Sequence, residues 1–222
     1  MFDKLSELKK NNFIPDVIFD IGAHHGNWTR DCQKIFPNCR YILIEPIEYP
    51  ELNELKKKRN VRVFNELLND KMEEVNWYEM KNTGDSMFRE MSKSFENCLV
   101  TKKISTTLDK FIENKVGILD NCNNYLIKID CQGAEIPILK GAANILNKTD
   151  FIILEMPFFG KYNETVPSFL EHINFMNDIG FIPYDFLESH YVGNNNSQTF
   201  NMQVDMIFIN KNHAFNTDVQ KI

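Results

Sequence analysis

The sequence predicts an α/β fold built on a mainly parallel sheet with helices on both faces. Three observations predict it. Strand-like and helix-like segments alternate along most of the chain. The runs Tyr125-Leu126-Ile127 and Phe151-Ile152-Ile153-Leu154 are continuously apolar, as strands buried on both sides are. The order strand, glycine turn, helix stands near the start: Val17-Ile18-Phe19-Asp20-Ile21 leads into Gly22-Ala23-His24-His25-Gly26, and a helix-like segment follows from Asn27 to Phe36. In open α/β sheets the first such turn is where a nucleotide-like cofactor sits.

Strands are predicted over 17–21, 40–45, 61–65, 124–130 and 150–156, and helices over 27–36, 50–58, 106–115, 135–146 and 165–179. Ahead of them, Phe2, Leu5 and Leu8 form a helical stripe within 1–12, expected to pack on the domain near the cofactor. Two late strands, 181–187 and 203–210, flank the polar loop Gly193-Asn194-Asn195-Asn196-Ser197-Gln198. They read as a hairpin that makes the sheet end antiparallel. The segment 72–104 interrupts the alternation. Val75-Asn76-Trp77-Tyr78-Glu79 and Leu99-Val100-Thr101-Lys102-Lys103-Ile104 look like short strands around a turn-rich stretch, 82–88. An insertion of this length is a candidate for acceptor contact, with 82–98 moving as a lid. No repeat or linker divides residues 1–222, which read as one domain.

Hydrophobic residues make up 43% of the chain and charged residues 25%, enough for a packed core. The net charge of -6 argues against a protein that relies on bulk attraction to nucleic acid. The cysteines, Cys32, Cys39, Cys98, Cys122 and Cys131, are odd in number and form no C-x-x-C pair, so they read as reduced thiols. No apolar run approaches a membrane span, and the first ten residues lack a signal-peptide core. A cytoplasmic location without a membrane partner is expected.

The glycine turn is D-x-G-x-x-x-G rather than G-x-G-x-x-G, which counts against a nicotinamide dehydrogenase. Gly22 and Gly26 bracket Ala23 and His24, and neither glycine has a Cβ to keep backbone away from a ligand. One acid at the strand end, Asp20, with no tight glycine pair for a pyrophosphate, suits a cofactor carrying an ammonium group and a ribose, such as S-adenosyl-L-methionine. Glu45, at the end of Ile42-Leu43-Ile44 and followed by the strand-ending Pro46, is placed to take both ribose hydroxyls. By fold analogy adenine lies near Asn65, Glu66 and Leu67.

Lys128 and Asp130 are two apart on a strand, so their side chains share a face, and if buried they need partners. Asp130 reaches the strand's carboxyl end, beside the sulfonium or the acceptor hydroxyl. Glu155 ends the next strand. Two carboxylates in one cleft push their pKa values apart, which yields a base near neutrality: Asp130 first, Glu155 second, with Lys128 opposing the shift. His24 and His25 match no metal-ligand spacing, so no metal is assigned. On the acceptor side stand Ser86 of the insertion and Phe158, the first of Phe158-Phe159-Gly160-Lys161-Tyr162. His172 and His190 read as surface or packing residues.

These stretches resemble the FkbM family of S-adenosylmethionine-dependent methyltransferases, from about Lys9 to Asn210. The resemblance is carried by Phe13 to Ala23, Ile44-Glu45-Pro46, Thr107-Leu108-Asp109, Ile153-Leu154-Glu155 and Gln203 to Phe208. Its most specific part is K-x-D-x-x-G-x-E-x-x-x-L-x-G over Lys128, Asp130, Gly133, Glu135, Leu139 and Gly141. His24 departs from the family's usual Asn, and Cys131-Gln132 from a more usual Val-Glu. The resemblance implies a Rossmann-like class I methyltransferase domain, with a seven-stranded sheet whose last strand is antiparallel. It draws Glu135 towards the acceptor. The reaction it implies is methyl transfer to a hydroxyl of a sugar, glycan or related natural product. Nucleic-acid 2′-O-methylation and a non-catalytic cofactor-binding domain are the alternatives. The N/D-P-P-Y signature of base N-methyltransferases is absent where Asp130-Cys131-Gln132-Gly133 stands.

Overall fold

The computed structural model of the protein describes residues 1–80, 84–91, 98–117, 119, 122–161, 163–193 and 199–213. Its main sheet is formed by β1 (Val17–Ile21), β2 (Arg40–Ile44), β3 (Val61–Phe64), β7 (Tyr125–Ile129), β8 (Thr149–Pro157), β9 (Phe181–Gly193) and β10 (Thr199–Asn210). The order is β3-β2-β1-β7-β8-β10-β9. Neighbours from β3 to β8 run parallel, and β10 lies antiparallel to both β8 and β9. This is the expected α/β sheet with its late hairpin. Both hairpin strands are longer than their sequence limits, and residues 194–198 of the tip lie outside the described residues.

Alternate residues of the central strands face opposite layers. Val17, Phe19, Ile21, Ile127 and Ile129 belong to one core, with Phe111, Ile138 and Met176. Ile18, Leu43, Leu126 and Ile153 belong to the other, with Leu5, Leu8, Cys32 and Leu55. Helices α1 (Phe2–Lys10), α2 (Asn27–Ile35) and α3 (Pro50–Lys56) cover the second face. Leu5 and Leu8 are fully buried. However, α1 is held by α2 and β9: Trp28 Nε1 donates to Met1 Sδ at 2.8 Å, and Lys4 pairs with Asp185 at 2.8 Å. None of its residues line the cavity described below, which corrects the expectation of a helix near the cofactor.

The remaining helices are shorter than predicted. Over 106–115 the chain forms α4 (Leu108–Phe111), capped by Thr107, and then a π-helical turn, Ile112–Val116. The helix expected over 135–146 breaks into α5 (Glu135–Lys140) and α6 (Ala143–Leu146). Both carboxylate oxygens of Asp109 accept the first free amides of α6, from Asn144 and Ile145 at 2.8 and 3.1 Å. A new helix start is thereby stabilised where a continuous helix would have run on. α7 (Phe169–Asp178) begins at a capping box made by Ser168 and Glu171.

The insertion carries β5 (Glu74–Glu79) and β6 (Leu99–Thr106), which join β4 (Leu67–Leu68) in a three-stranded sheet, β4-β6-β5. Of the expected lid, residues 82, 83 and 92–97 lie outside the described residues. No helix among the described residues is long and apolar enough to cross a membrane.

Gly22 joins the two central strands. Its φ is +75°, and a Cβ there would stand 1.9 Å from the carbonyl oxygen of Asp130. Gly22→Ala should therefore push the Asp130 loop away from β1 and destabilise the protein by at least about 2 kcal/mol, read from the urea midpoint.

Candidate active site

Asp20 and Lys128 are direct neighbours in the parallel register of β1 and β7. Both face the layer of α2, and both are buried. Asp20 Oδ2 accepts from Thr29 of α2 at 2.6 Å, and Oδ1 stands 3.5 Å from Lys128 Nζ. The same ammonium lies 3.3 Å from Asp130 Oδ2 and donates to the Gly22 carbonyl at 3.3 Å. Burial opposes the charge on Lys128, but the carboxylates of Asp130 and Asp20 outweigh it and hold the ammonium above its ordinary range. Desolvation likewise works against an ionised Asp130, and the Lys128 ammonium wins, keeping Asp130 below the usual carboxylate range. Burial raises Asp20, with Lys128 opposing.

Above this cluster lies a cavity of about 370 Å³ at the carboxyl ends of β1, β2, β7 and β8, within the range of small-ligand sites. At one end is Glu45. Its Oε2 accepts the His24 amide at 2.9 Å and its Oε1 the Ile47 amide at 3.1 Å. The carboxylate is thereby fixed, with lone pairs left on both oxygens. Burial pushes its pKa up to about 7, against those two hydrogen bonds. Ile44, Leu67, Leu68 and Ile138 form the apolar walls, and Glu66, Pro46, His24 and Gly22 also line the space. Trp77 of the insertion lines it too, and its buried Nε1 has no partner among the described residues.

At the other end Asp130 and Glu155 come together through Gln132, whose amide nitrogen donates to Asp130 Oδ1 at 3.2 Å and Glu155 Oε2 at 2.7 Å. Gln203 donates to the same Glu155 oxygen at 3.2 Å. Burial and the charge of Asp130 raise Glu155 well above the usual carboxylate range. The pair splits as two close carboxylates should, and Glu155 is the member that holds a proton more tightly. Asp130, the first candidate for the base, is made a weaker one by Lys128.

Several predicted residues support the cavity from behind its wall. Asp20, Ala23, Gly26, Lys128, Ser86, Glu135 and Phe158 do not line it. Asp20 and Lys128 form its charged floor. Glu135 Oε1 accepts the amides of Cys131 and Gly133 at 2.9 and 3.3 Å, and burial pushes this carboxyl up to about 7. Ser86 donates to the Gln132 carbonyl at 3.0 Å. These two residues shape the 131–133 loop; as acceptor contacts they are corrected, because both are buried in it. Phe158 is exposed and stacks edge-on against Phe169, at 5.2 Å between centroids. Gln132, Gln203, His190 and Asp205 had not been singled out as site residues. Gln203 and Asp205 carried a signal: two polar residues two apart on an otherwise apolar strand. His190 lay beyond the predicted end of its strand, and the structure extends β9 past it to the cavity.

Residues 20–183, well over half of the chain, match the methyltransferase FkbM domain. The chain belongs to the FkbM methyltransferase family. S-adenosyl-L-methionine is the cofactor of this methyltransferase. Solved structures of similar fold include the FkbM methyltransferase of Methylobacillus flagellatus KT. It is 14% identical over 86% of this chain and 43% of that one, with a TM-score of 0.49. The Burkholderia thailandensis 1,6-didemethyltoxoflavin-N1-methyltransferase, with bound 1,6-didemethyltoxoflavin and S-adenosylhomocysteine, is 14% identical over 93% and 76%, with a TM-score of 0.48. A putative RNA methyltransferase from Pyrococcus horikoshii is 12% identical over 95% and 82%, with a TM-score of 0.47. No curated protein matches.

The cavity's donor set fits this cofactor. Glu45 offers two oxygens to a diol, an apolar slot lies beside it, and the ionised Asp130 faces the space where a positive charge is welcome.

The buried carboxyls give the cofactor-free enzyme a pH-dependent stability. Burial pushes Glu45 and Glu135 up to about 7 in the folded protein, against an ordinary value of 4.5. Between those values the folded state binds more protons than the unfolded state, so stability falls as pH rises. The loss is on the order of 1–3 kcal/mol per carboxyl. The urea midpoint should be lower at pH 8 than at pH 5.5, and Glu135→Gln should flatten the difference.

Proposed function

We propose that this methyltransferase moves the methyl group of S-adenosylmethionine to a hydroxyl oxygen of an uncharged, polyhydroxylated acceptor, a sugar, glycan or related natural product. The observation that carries this reading is the composition of the cavity wall. It presents the carboxyls of Glu45, Glu66, Asp85, Asp130 and Glu155, the carboxamides of Gln132 and Gln203, and two imidazoles, but no Lys or Arg side chain among the described residues. Carboxylates and carboxamides are hydrogen-bond partners for hydroxyls. A phosphate backbone depends on Lys and Arg and would meet like charge here, which disfavours a nucleic-acid acceptor.

In this reading Glu45 holds the ribose diol, and Ile44, Leu67, Leu68 and Ile138 enclose the adenine. When bound, the cofactor supplies an electrophilic methyl group. Lys128 keeps Asp130 charged and in place. Asp130 accepts from one acceptor hydroxyl, and Glu155, holding its proton, donates to a neighbouring one. Gln132 sets the spacing of the two. Such fixed positioning supplies much of the acceleration of a two-substrate reaction.

Two outcomes are expected. Glu45→Ala should weaken S-adenosylmethionine binding by about 1–3 kcal/mol in calorimetry, the loss of charge-assisted hydrogen bonds. In a screen of neutral sugars, glycans, nucleotides and oligonucleotides, S-adenosylhomocysteine should form with a neutral hydroxylated compound. Turnover with RNA alone would reject the acceptor class.

A further inference from the structure

We propose that His190, held by Asp205, is the catalytic base that takes the proton of the acceptor hydroxyl. The proposal rests on the hydroxyl-methylating reading above and adds the group that the reaction still lacks. A neutral hydroxyl is a poor nucleophile, and its proton must leave as the new bond forms.

His190 lines the cavity at its acceptor end. Its Nε2 is 2.8 Å from Asp205 Oδ2 and 4.0 Å from Glu155 Oε1. The sheet register builds this contact. Asp205 pairs with Glu155 across β8 and β10, and His190 pairs with Gln203 across β9 and β10. Three strands thus deliver four polar side chains to one place. Glu155 Oε2 is already taken by the amides of Gln132 and Gln203. Oε1 is the oxygen left to engage a hydroxyl, and it is the Glu155 oxygen that faces the imidazole, 4.0 Å from Nε2. With Nε2–H donated to Asp205, Nδ1 is left as the basic nitrogen, and the carboxylate fixes that tautomer and balances the imidazolium.

The two carboxyls beside the acceptor suit the task less well. Asp130 is tied to Lys128, and Glu155 is held by the carboxamides of Gln132 and Gln203. Exposure also separates the candidates. The side chains of Asp205 and Glu155 are 6% and 10% exposed, whereas that of His190 is 39% exposed, so a proton placed there reaches solvent directly. The groups facing the imidazole are Asp205 from β10 and Glu155 from β8. Behind them Asp130 and Lys128 act on Asp205 from the end of β7, and Glu188 stands on β9 itself, exposed. In the step, the O–H bond breaks and its proton passes to the imidazole. The electron pair stays on oxygen to form the bond to the methyl carbon, and the imidazolium later releases the proton to water.

The test combines His190→Gln with Asp205→Asn on an acceptor that the wild type methylates on a hydroxyl. His190 sits half-buried on an edge strand, so the variant should fold, with unchanged S-adenosylmethionine affinity in calorimetry. Its kcat should fall by about 10²–10⁴-fold, the acidic limb of its kcat/KM profile should disappear, and added imidazole should restore part of the rate. Asp205→Asn, which removes the carboxylate that holds the ring, should lower kcat while S-adenosylmethionine affinity stays unchanged. A His190→Gln enzyme within threefold of wild type overturns the assignment. So does an inactive variant that keeps the acidic limb and gains nothing from imidazole, or an Asp205→Asn enzyme with wild-type kcat. Methylation only of an amine by the wild type overturns the hydroxyl reading and this assignment together; hydroxyl methylation that survives His190→Gln overturns the assignment alone.

Discussion

The ammonium of Lys128 is the constraint on which the site depends. It is buried at the junction of the two central strands, and a buried charge is tolerated only when paired and hydrogen-bonded. Its partners are Asp20 on β1, Asp130 at the end of β7 and the carbonyl of the glycine turn. One side chain therefore locks a strand, a loop and the glycine turn together. Removing either acid leaves the ammonium with a single carboxylate, and removing Lys128 leaves two carboxyls facing each other. The same ammonium decides which carboxyl of the cleft stays ionised.

The 131–133 loop repeats this logic with neutral groups. Gln132 and Gly133 have positive φ values of 52° and 108°, which an L side chain adopts only under constraint. The constraint comes from three directions. Glu135 receives the loop's amides, while Ser86 and Asn163 both donate to the Gln132 carbonyl. A carboxamide that bridges two carboxyls must be held in orientation, and the insertion provides part of the hold as well as part of the cavity wall.

The central strands were legible because burial on both faces writes an apolar run, and the first one, 17–21, has the predicted limits. Strand-end acids were legible as well: Glu45, Asp130 and Glu155 all reach the cavity. Helix limits were less so. The break at Gly141 depends on Asp109, distant in sequence, capping α6, and no local propensity encodes that. The site's second layer was hidden for a similar reason. Nothing along the chain tells whether an acid such as Glu135 faces a ligand or the backbone beneath it; its bonds to the Cys131 and Gly133 amides appear only in the folded loop. His190 was hidden by strand length, because a polar edge strand lacks the alternation that marks a half-buried one.

The family match ends at residue 183, within β9. Asp20, Glu45, Lys128, Asp130 and Glu155 all fall inside it, while His190, Gln203 and Asp205 fall beyond it on the edge hairpin. The cavity thus draws on two stretches of chain: the matched span supplies Glu45, Asp130 and Glu155, and a terminal ribbon brings His190 and Gln203 to the same space. β10 is packed into both cores through Met206, Ile207, Phe208 and Ile209, so the positions of the ribbon open to change are those that face the cavity and those on the edge strand β9. On the proposed reading, changing those positions alone is a route to new acceptor preferences with the packing of the sheet left intact.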